Sequence, residues 1–390
     1  LVSCFLRKQD FLIPYLYKDS FDKEGYEGAV VLDPKPGIYI DKPVAVLDYG
    51  SLYPSSMIEF NISHETIVTD EKYLGENGGK LLNDEGYDYK DVTYDRYKTI
   101  FTPSGLVKEK IKVGIKTVRY VQYRDGTKAM LPMILEHLLG ARKSTRAKAK
   151  FKTIVVKNNN SESGEITYLG LYNKDENSIK SEGTIIKLSQ IGEIISIQDK
   201  FNEFQKNVLD GLQLAFKVTA NSLYGGIGAK TSDFYYKELA ASTTAVGRDR
   251  LLLAKNFALN EKNYPQKLSD GSTIFLKNEI IYGDTDSVFV HFQSLDDKGN
   301  QLKGRDARVR NIELAQYTER EIQKILEKPQ VLEYEKTFDP FILISKKRYV
   351  GDLYENDPDK SKTKSMGLVL KRRDNAPIVK VIYLSLIHIS

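Results

Sequence analysis

Cysteine is nearly missing from this chain: one residue, Cys4, among 390. A single thiol excludes an internal disulfide framework and fits a reducing compartment. With only four histidines beside it, no ligand set for a structural zinc cluster remains. Long apolar runs are missing too. No stretch approaches the roughly 20 residues of a membrane span, and no cleavable leader is visible. A soluble, intracellular protein with no membrane partner is the expectation. Charge of one sign is scarce as well: 58 Lys and Arg against 53 Asp and Glu leave a net +5. That balance is too mild to establish nucleic-acid binding, although basic residues cluster at 142–152, 346–348 and 371–373. The length allows one large core or two to three subdomains.

Against these absences stand three informative segments. In Ile280-Ile281-Tyr282-Gly283-Asp284-Thr285-Asp286-Ser287-Val288-Phe289-Val290, β-branched and aromatic residues flank a tight turn carrying two carboxylates. Like charges two residues apart on a buried hairpin repel and cost desolvation, so a divalent cation is the usual reason to find them together. Alone the pattern is weak, because surface turns are rich in Asp. Upstream, Val44-Ala45-Val46-Leu47-Asp48 reads as a buried strand ending in a third carboxylate. The following Tyr49-Gly50-Ser51-Leu52-Tyr53-Pro54-Ser55 starts a helix, with Ser51 able to cap it and Pro54 tolerated in the first turn. The amides of Ser51, Leu52 and Tyr53 then form a natural phosphate seat. Third, Lys217-Val218-Thr219-Ala220-Asn221-Ser222-Leu223-Tyr224-Gly225 reads as a helix whose Lys217, Asn221 and Tyr224 share one face.

Together these resemble the D-x-x-S-L-Y-P-S, K-x-x-x-N-S-x-Y-G and Y-G-D-T-D-S motifs of the family B DNA polymerases, position for position and in the family's order. Ser345-Lys346-Lys347-Arg348-Tyr349 is similar to the family's K-K-R-Y segment. Gly367 with Lys371-Arg372-Arg373-Asp374 is similar to the G-x-x-x-x-R-R-D segment that begins the thumb. The resemblance runs from about Tyr26 to about Lys380. Thr102–Val107 and Ala240–Ala245 bring it nearest to the delta-type polymerases of large DNA viruses. The four-cysteine modules at the C-terminus of delta-type enzymes have no counterpart here.

The resemblance implies an α+β fold, a right-hand polymerase palm (an antiparallel sheet with helices) plus helical fingers. Residues 1–61 lead into the palm and carry the first motif, and 62–128 are an irregular palm insertion. Residues 129–228 form a fingers hairpin with 153–196 inserted at its tip. The palm resumes over 229–365, and 366–390 begin a truncated thumb. Helices are expected at Met130 to about Lys152, about Gln198 to Tyr224, Glu238 to about Asn260 and Asp306–Glu327. Strands are expected near 280–293 and 332–351. Leu384–Ser390 reads as a translated sequencing adapter rather than a genuine strand. No room is visible for an upstream exonuclease domain, so a fragment of a longer enzyme is expected.

The implied reaction is template-directed attack of a primer 3′-hydroxyl on the α-phosphate of a deoxynucleoside triphosphate, in DNA replication. Two Mg²⁺ ions are the implied cofactors, with Asp48 and Asp286 as metal ligands and Asp284 as a supporting catalytic acid. Nucleotide binding falls to Ser51, Leu52, Tyr53, Arg142, Arg146, Lys217, Asn221 and Tyr224. Tyr53 stacks beneath the sugar and collides with a ribose 2′-hydroxyl. Gly225, Thr285, Lys346, Lys347, Arg348, Tyr349, Arg372 and Arg373 are the expected contacts to primer–template DNA, mostly through phosphates. A sliding clamp is a possible partner through missing parts. The compartment is the nucleus or a cytoplasmic viral replication site. Three other readings compete: a DNA-binding relic, an RNA-synthesising palm enzyme and a Mg²⁺ nuclease. The complete acid set argues against the relic, Tyr53 against the RNA enzyme, and the Lys217–Asn221 helix against the nuclease.

Overall fold

The computed structural model describes residues 24–102, 107–157, 165–174, 176–181, 184–187, 193–368 and 376–378. The described residues divide into two units, 128–235 and the flanking chain on either side of it. The flanking unit opens with short strands β1 (Glu24–Tyr26), β2 (Val31–Leu32) and β3 (Gly37–Tyr39), then β4 (Val44–Tyr49) and helix α1 (Leu52–Glu59). Helix α2 (Gly75–Asp84) precedes a long hairpin of β5 (Tyr87–Phe101) and β6 (Val107–Tyr123). The other unit runs from α3 (Met130–Ala149) through β7 (Lys152–Lys157), β8 (Glu165–Asn173), β9 (Ser178–Ser181), β10 (Thr184–Lys187) and β11 (Glu193–Asp199) to α4 (Glu203–Gly228). The flanking unit then resumes with α5 (Lys237–Leu259), β12 (Pro265–Lys267), β13 (Thr273–Phe275), β14 (Glu279–Asp284) and β15 (Ser287–His291). Helix α6 (Gly304–Ile322) and strands β16 (Leu332–Ser345), β17 (Arg348–Tyr354) and β18 (Ser361–Met366) complete it. The architecture is mixed α/β, and the strand pairs of the main sheets are antiparallel. No described helix is long and apolar enough to cross a membrane.

The central sheet follows from β4. A run of Val-Ala-Val-Leu has no polar side to turn to solvent, so both its faces must be covered and both its edges paired. Its neighbours are β15 and β16, in the order β18-β17-β16-β4-β15-β14-β2, with β3 also on β16. On one face Ala45, Leu47 and Tyr49 pack with Val288, Val290 and Leu332 beneath Leu251 and Ala254 of α5 and Leu314 and Ala315 of α6. On the other, Val44 and Val46 join Phe289, Phe338, Phe341 and Tyr349. The rings of Phe338 and Phe341 lie 5.1 Å apart, within the separation at which aromatic pairs add to simple burial.

Helix α1 is locked to α5 by a buried polar network. Arg250 of α5 pairs with Glu59, whose side chain is 1% exposed. Gln330 Nε2 donates to Glu59 Oε2 at 3.0 Å and to Ser56 Oγ at 3.2 Å. Tyr49 donates its hydroxyl to the Arg250 carbonyl at 2.8 Å. Removing one partner strands the other charge in the interior. Glu59→Ala is therefore expected to cost about 3–5 kcal/mol of stability, seen as a fall in the denaturant midpoint.

Residues 62–128, which composition marks as irregular, depart from that expectation. Most of the stretch is the β5–β6 hairpin, paired from Tyr87↔Tyr123 to Phe101↔Val107 with register shifts at Arg96/Tyr97 and Ile100/Phe101. Its buried strip of Val92, Tyr94, Val118 and Tyr120 docks against α5, where Tyr120 donates to Ser242 Oγ at 2.9 Å. Lys116 pairs with Glu238 at 2.7 Å. On the opposite face of the hairpin, buried Arg119 donates two hydrogen bonds to the Asp91 carboxylate, each at 2.7 Å, and its guanidinium lies over the Tyr89 ring.

In the 128–235 unit, α3 buries Leu131, Ile134, Leu135 and Leu138, four of the five stripe positions, while Leu139 is half-buried. The helix ends at Ala149, before Lys152. Helix α4 starts later than the sequence suggests, at Glu203, because Asn202 caps it reciprocally with Gln205. Between the helices lies the five-stranded sheet β10-β9-β8-β7-β11. Lys152 and Asp199 face each other across β7 and β11, so α3 leaves and α4 returns side by side.

Candidate functional site

Backbone pairing brings the first and third motifs together. Asp48, one residue from the end of β4, lies opposite Ser287 of β15. The Tyr49 amide donates to the Asp286 carbonyl at 2.8 Å, and Asp284 pairs with Ser287 across the turn. Asp48, Asp284 and Asp286 are thus clustered at one end of the central sheet. The turn is tight: Thr285 holds φ 61°, and its amide donates to the Val30 carbonyl at 3.1 Å. Gly283 is needed for close approach, since a Cβ there would lie 2.6 Å from Leu32 Cδ1 on the neighbouring β2. On the other edge of β4, Glu333 of β16 is the register partner of Asp48. The sequence reading missed this fourth acid, and a lone Glu in a strand carries no local signal that could have found it. Among the described residues, no three His, Cys, Asp or Glu side chains converge into a ready metal cage.

The phenol of Tyr349 reports the charge gathered here. Burial chiefly pushes it up to about 12, and the carboxylates of Glu335, Asp284 and Asp48 add to the effect. The ring is 5% exposed and packs edge-on against Phe289 and Phe338 and tilted against Phe341. Tyr349 is therefore a core residue beside the acids, where the sequence led to the expectation of a contact to primer–template DNA. Lys346 and Lys347 likewise do not lie on a strand, but form the turn between β16 and β17, with Lys347 at φ 60°. Lys347 Nζ meets Asp284 Oδ1 at 2.9 Å, and its amide donates to the Tyr282 hydroxyl at 2.9 Å. Lys346 pairs with Asp33 at 2.9 Å. Arg348 is exposed. Arg372 and Arg373 lie outside the described residues.

After Asp48 the chain turns into α1. Ser51 occupies the N-cap position at φ 58°, but its side chain makes no capping bond, contrary to expectation. Leu52 and Tyr53 open the helix, in the turn whose amides have no intrahelical acceptor. Leu52 is buried and Tyr53 half-buried. Burial, then the nearby Asp286 carboxylate, pushes the Tyr53 phenol up to about 12.

On the other unit, Arg142 of α3 donates from Nε to Gln213 Oε1 of α4 at 3.3 Å. Arg146, one turn further along, is exposed. Lys217, Asn221 and Gly225 are exposed along α4, and Tyr224 is half-buried beside them. The buried side of that helix is Ala220, Leu223 and Ile227.

Comparison with known proteins bears on the whole chain. The model of DNA polymerase family B matches residues 2–161 and 195–389. The chain belongs to family B of the DNA polymerases. Among its relatives, a DNA polymerase of Pyramimonas orientalis virus is 48% identical over all of this chain and 30% of its own length. One of Phaeocystis pouchetii virus is 36% identical over 83% of this chain and 27% of its own. The DNA polymerase delta catalytic subunit of Caenorhabditis elegans is 32% identical over 97% of this chain and 26% of its own. The chain thus spans under a third of these relatives. Its likeness to viral and delta-type members agrees with the finer resemblance drawn from Thr102–Val107 and Ala240–Ala245.

The tyrosines give a pH prediction for this family member. Besides Tyr53 and Tyr349, burial pushes Tyr282 and Tyr334 up to about 12 and raises Tyr49, Tyr120 and Tyr264 further. Each favours its neutral form in the folded state, so its contribution is complete below the ordinary value of 10.0; for Tyr53, Tyr282, Tyr334 and Tyr349 it is lost as pH climbs through about 12, and for the other three at still higher pH. Cooperative alkaline unfolding in that window is expected, with a late phase of phenolate absorbance coinciding with loss of ellipticity.

Proposed function

We propose that this chain is the palm and fingers region of a DNA-directed DNA polymerase, adding deoxynucleoside triphosphates to a primer 3′ end on a DNA template during replication. The observation that carries the reading is the clustering of Asp48, Asp284 and Asp286 at one end of the central sheet. In this reading 128–235 supplies the fingers and the flanking chain the palm.

The donor set fits Mg²⁺, a hard cation that takes oxygen ligands, keeps several waters and needs only one or two carboxylates beside substrate phosphates. Asp48 and Asp286 would hold the two ions. Asp284, engaged by Lys347, suits a supporting role. When bound, the ions supply charge neutralisation at the attacking and leaving oxygens. The protein's own part is positioning. The first-turn amides of α1 receive phosphate oxygens, as helix N-termini do. Arg142, Arg146, Lys217 and Asn221 bind the triphosphate, arginine through its planar fork and lysine as a point charge. Tyr53 lies beneath the sugar. Tyr224 and Gly225 line the nascent base pair. Lys346 and Arg348 hold the duplex through its phosphates, while Lys347 fixes the Asp284 carboxylate. A sliding clamp contacts the enzyme elsewhere.

The test is single-nucleotide extension of a primer–template at low salt with Mg²⁺, comparing this chain with its Asp286→Asn variant. Extension by the parent alone supports the reading, and equal extension by both removes Asp286 from the chemistry.

A further inference from the structure

Gly247 stands in the interior of α5, where glycine is disfavoured against alanine because of the chain entropy it gives up. It is buried, and its backbone is helical, so no turn or left-handed angle requires it. Space does. A Cβ built there would lie 2.8 Å from Tyr53 Cε1, 3.2 Å from Cδ1 and 3.4 Å from Leu52 Cδ2. Carbon atoms in contact settle about 3.5–4.0 Å apart, so even one methyl overlaps the aromatic ring.

The ring cannot easily yield. It is a rigid plate on the first turn of α1, and α1 is tied to α5 by the Glu59–Arg250 pair and to Gln330. Asp286, Tyr26 and Arg248 bear electrostatically on its hydroxyl end. Arg248, the residue after Gly247, is itself held by Glu27, and Thr244, one turn earlier, donates to the Glu27 carbonyl at 3.0 Å. The segment Thr244–Arg248 is therefore a fixed wall, with a notch at Gly247 into which the Tyr53 ring is set.

We propose that Gly247 is a positioning residue for nucleotide selection: the missing side chain sets how deep the Tyr53 ring sits, and hence where the sugar rests on it. The inference rests on the reading of Tyr53 as the sugar-contacting residue. A ring displaced off α5 by a methyl encroaches on the sugar, weakening nucleotide binding more than the chemical step.

The experiment is a double-mutant cycle in this chain with Gly247→Ala, Tyr53→Ala and the pair. For Gly247→Ala with Tyr53 intact, the expected results are a lower thermal midpoint and a KM for deoxynucleotides raised about tenfold, with kcat little changed. In the Tyr53→Ala background the same substitution leaves KM alone and raises the midpoint, because alanine now enters a helix with room for it. Equal effects in both backgrounds would overturn the role of Gly247, whatever Tyr53 does. Unchanged ribonucleotide rejection in Tyr53→Ala alone would overturn the sugar reading itself, while the unfolding cycle still decides whether ring and notch are coupled. The midpoints are readable even from a chain that extends no primer.

Discussion

Asp286→Asn is expected to lower primer extension by about a thousandfold or more. In the proposed reading Asp286 is a metal ligand, and neutralising it would forfeit several kcal/mol of transition-state charge stabilisation, where about 1.4 kcal/mol is worth a factor of ten in rate. The change leaves the fold intact. Asp286 is half-exposed on a turn whose backbone bonds, from Tyr49 N–H to its carbonyl and from its own amide to Asp284 O, do not use the side chain. An unchanged thermal midpoint beside a collapsed rate is the expected pair of measurements. A rate within a few-fold of the parent would sink the assignment of Asp286 as a ligand. Asp284→Asn should be milder in rate but costly to the turn, since it leaves the Lys347 ammonium without its counter-charge.

The second large effect is on sugar choice. Tyr53→Ala is expected to relax rejection of ribonucleotides by about a hundredfold, the scale on which a shaped apolar pocket discriminates, with a much smaller loss for deoxynucleotides. In the proposed reading the discrimination is steric: a ring beneath the sugar would leave no volume for a 2′-hydroxyl. Tyr53→Phe keeps the plate and removes only a hydroxyl that burial keeps protonated, so it should retain rejection. Competition between paired ribo- and deoxynucleotides in one extension reaction measures both. If Tyr53→Ala rejects ribonucleotides as well as the parent, the ring is not the discriminator.

What could be seen in the chain and what could not separate along a physical line. The acidic turn was visible because hairpin chemistry is local: β-branched strands and a two-carboxylate turn lie within eleven consecutive residues. The central strand was equally plain, since Val44 to Leu47 has no polar alternate. The α3 stripe was legible through its helical period. Helix α4 was placed early because the capping pair that starts it, Asn202 and Gln205, went unread. The β5–β6 hairpin was missed because its residues alternate Tyr or Val with Lys, Asp and Thr. Such a pattern is amphipathic at period two yet polar in composition, and only a surface such as α5 gives its apolar side somewhere to go. The burial of Tyr349 could not be read from its basic surroundings, because Lys346 and Lys347 lie on the exposed turn and Arg348 on the exposed side of β17 while its own ring points inward.

The sequence by itself determined the family and the local carriers of the chemistry: which residues bear carboxylates, guanidinium groups and the ring, and which of them share a strand, a turn or a helix face. These follow from short-range rules of periodicity and turn geometry, which act over a few residues. Only the tertiary structure decided that Asp48 and Asp286 are neighbours, that Glu333 joins their edge, that Lys347 holds Asp284 and that Gly247 makes room for Tyr53. Each of those contacts joins segments far apart in the chain. They are settled by how one strand is covered on both faces and paired on both edges, a problem that no single segment can solve alone.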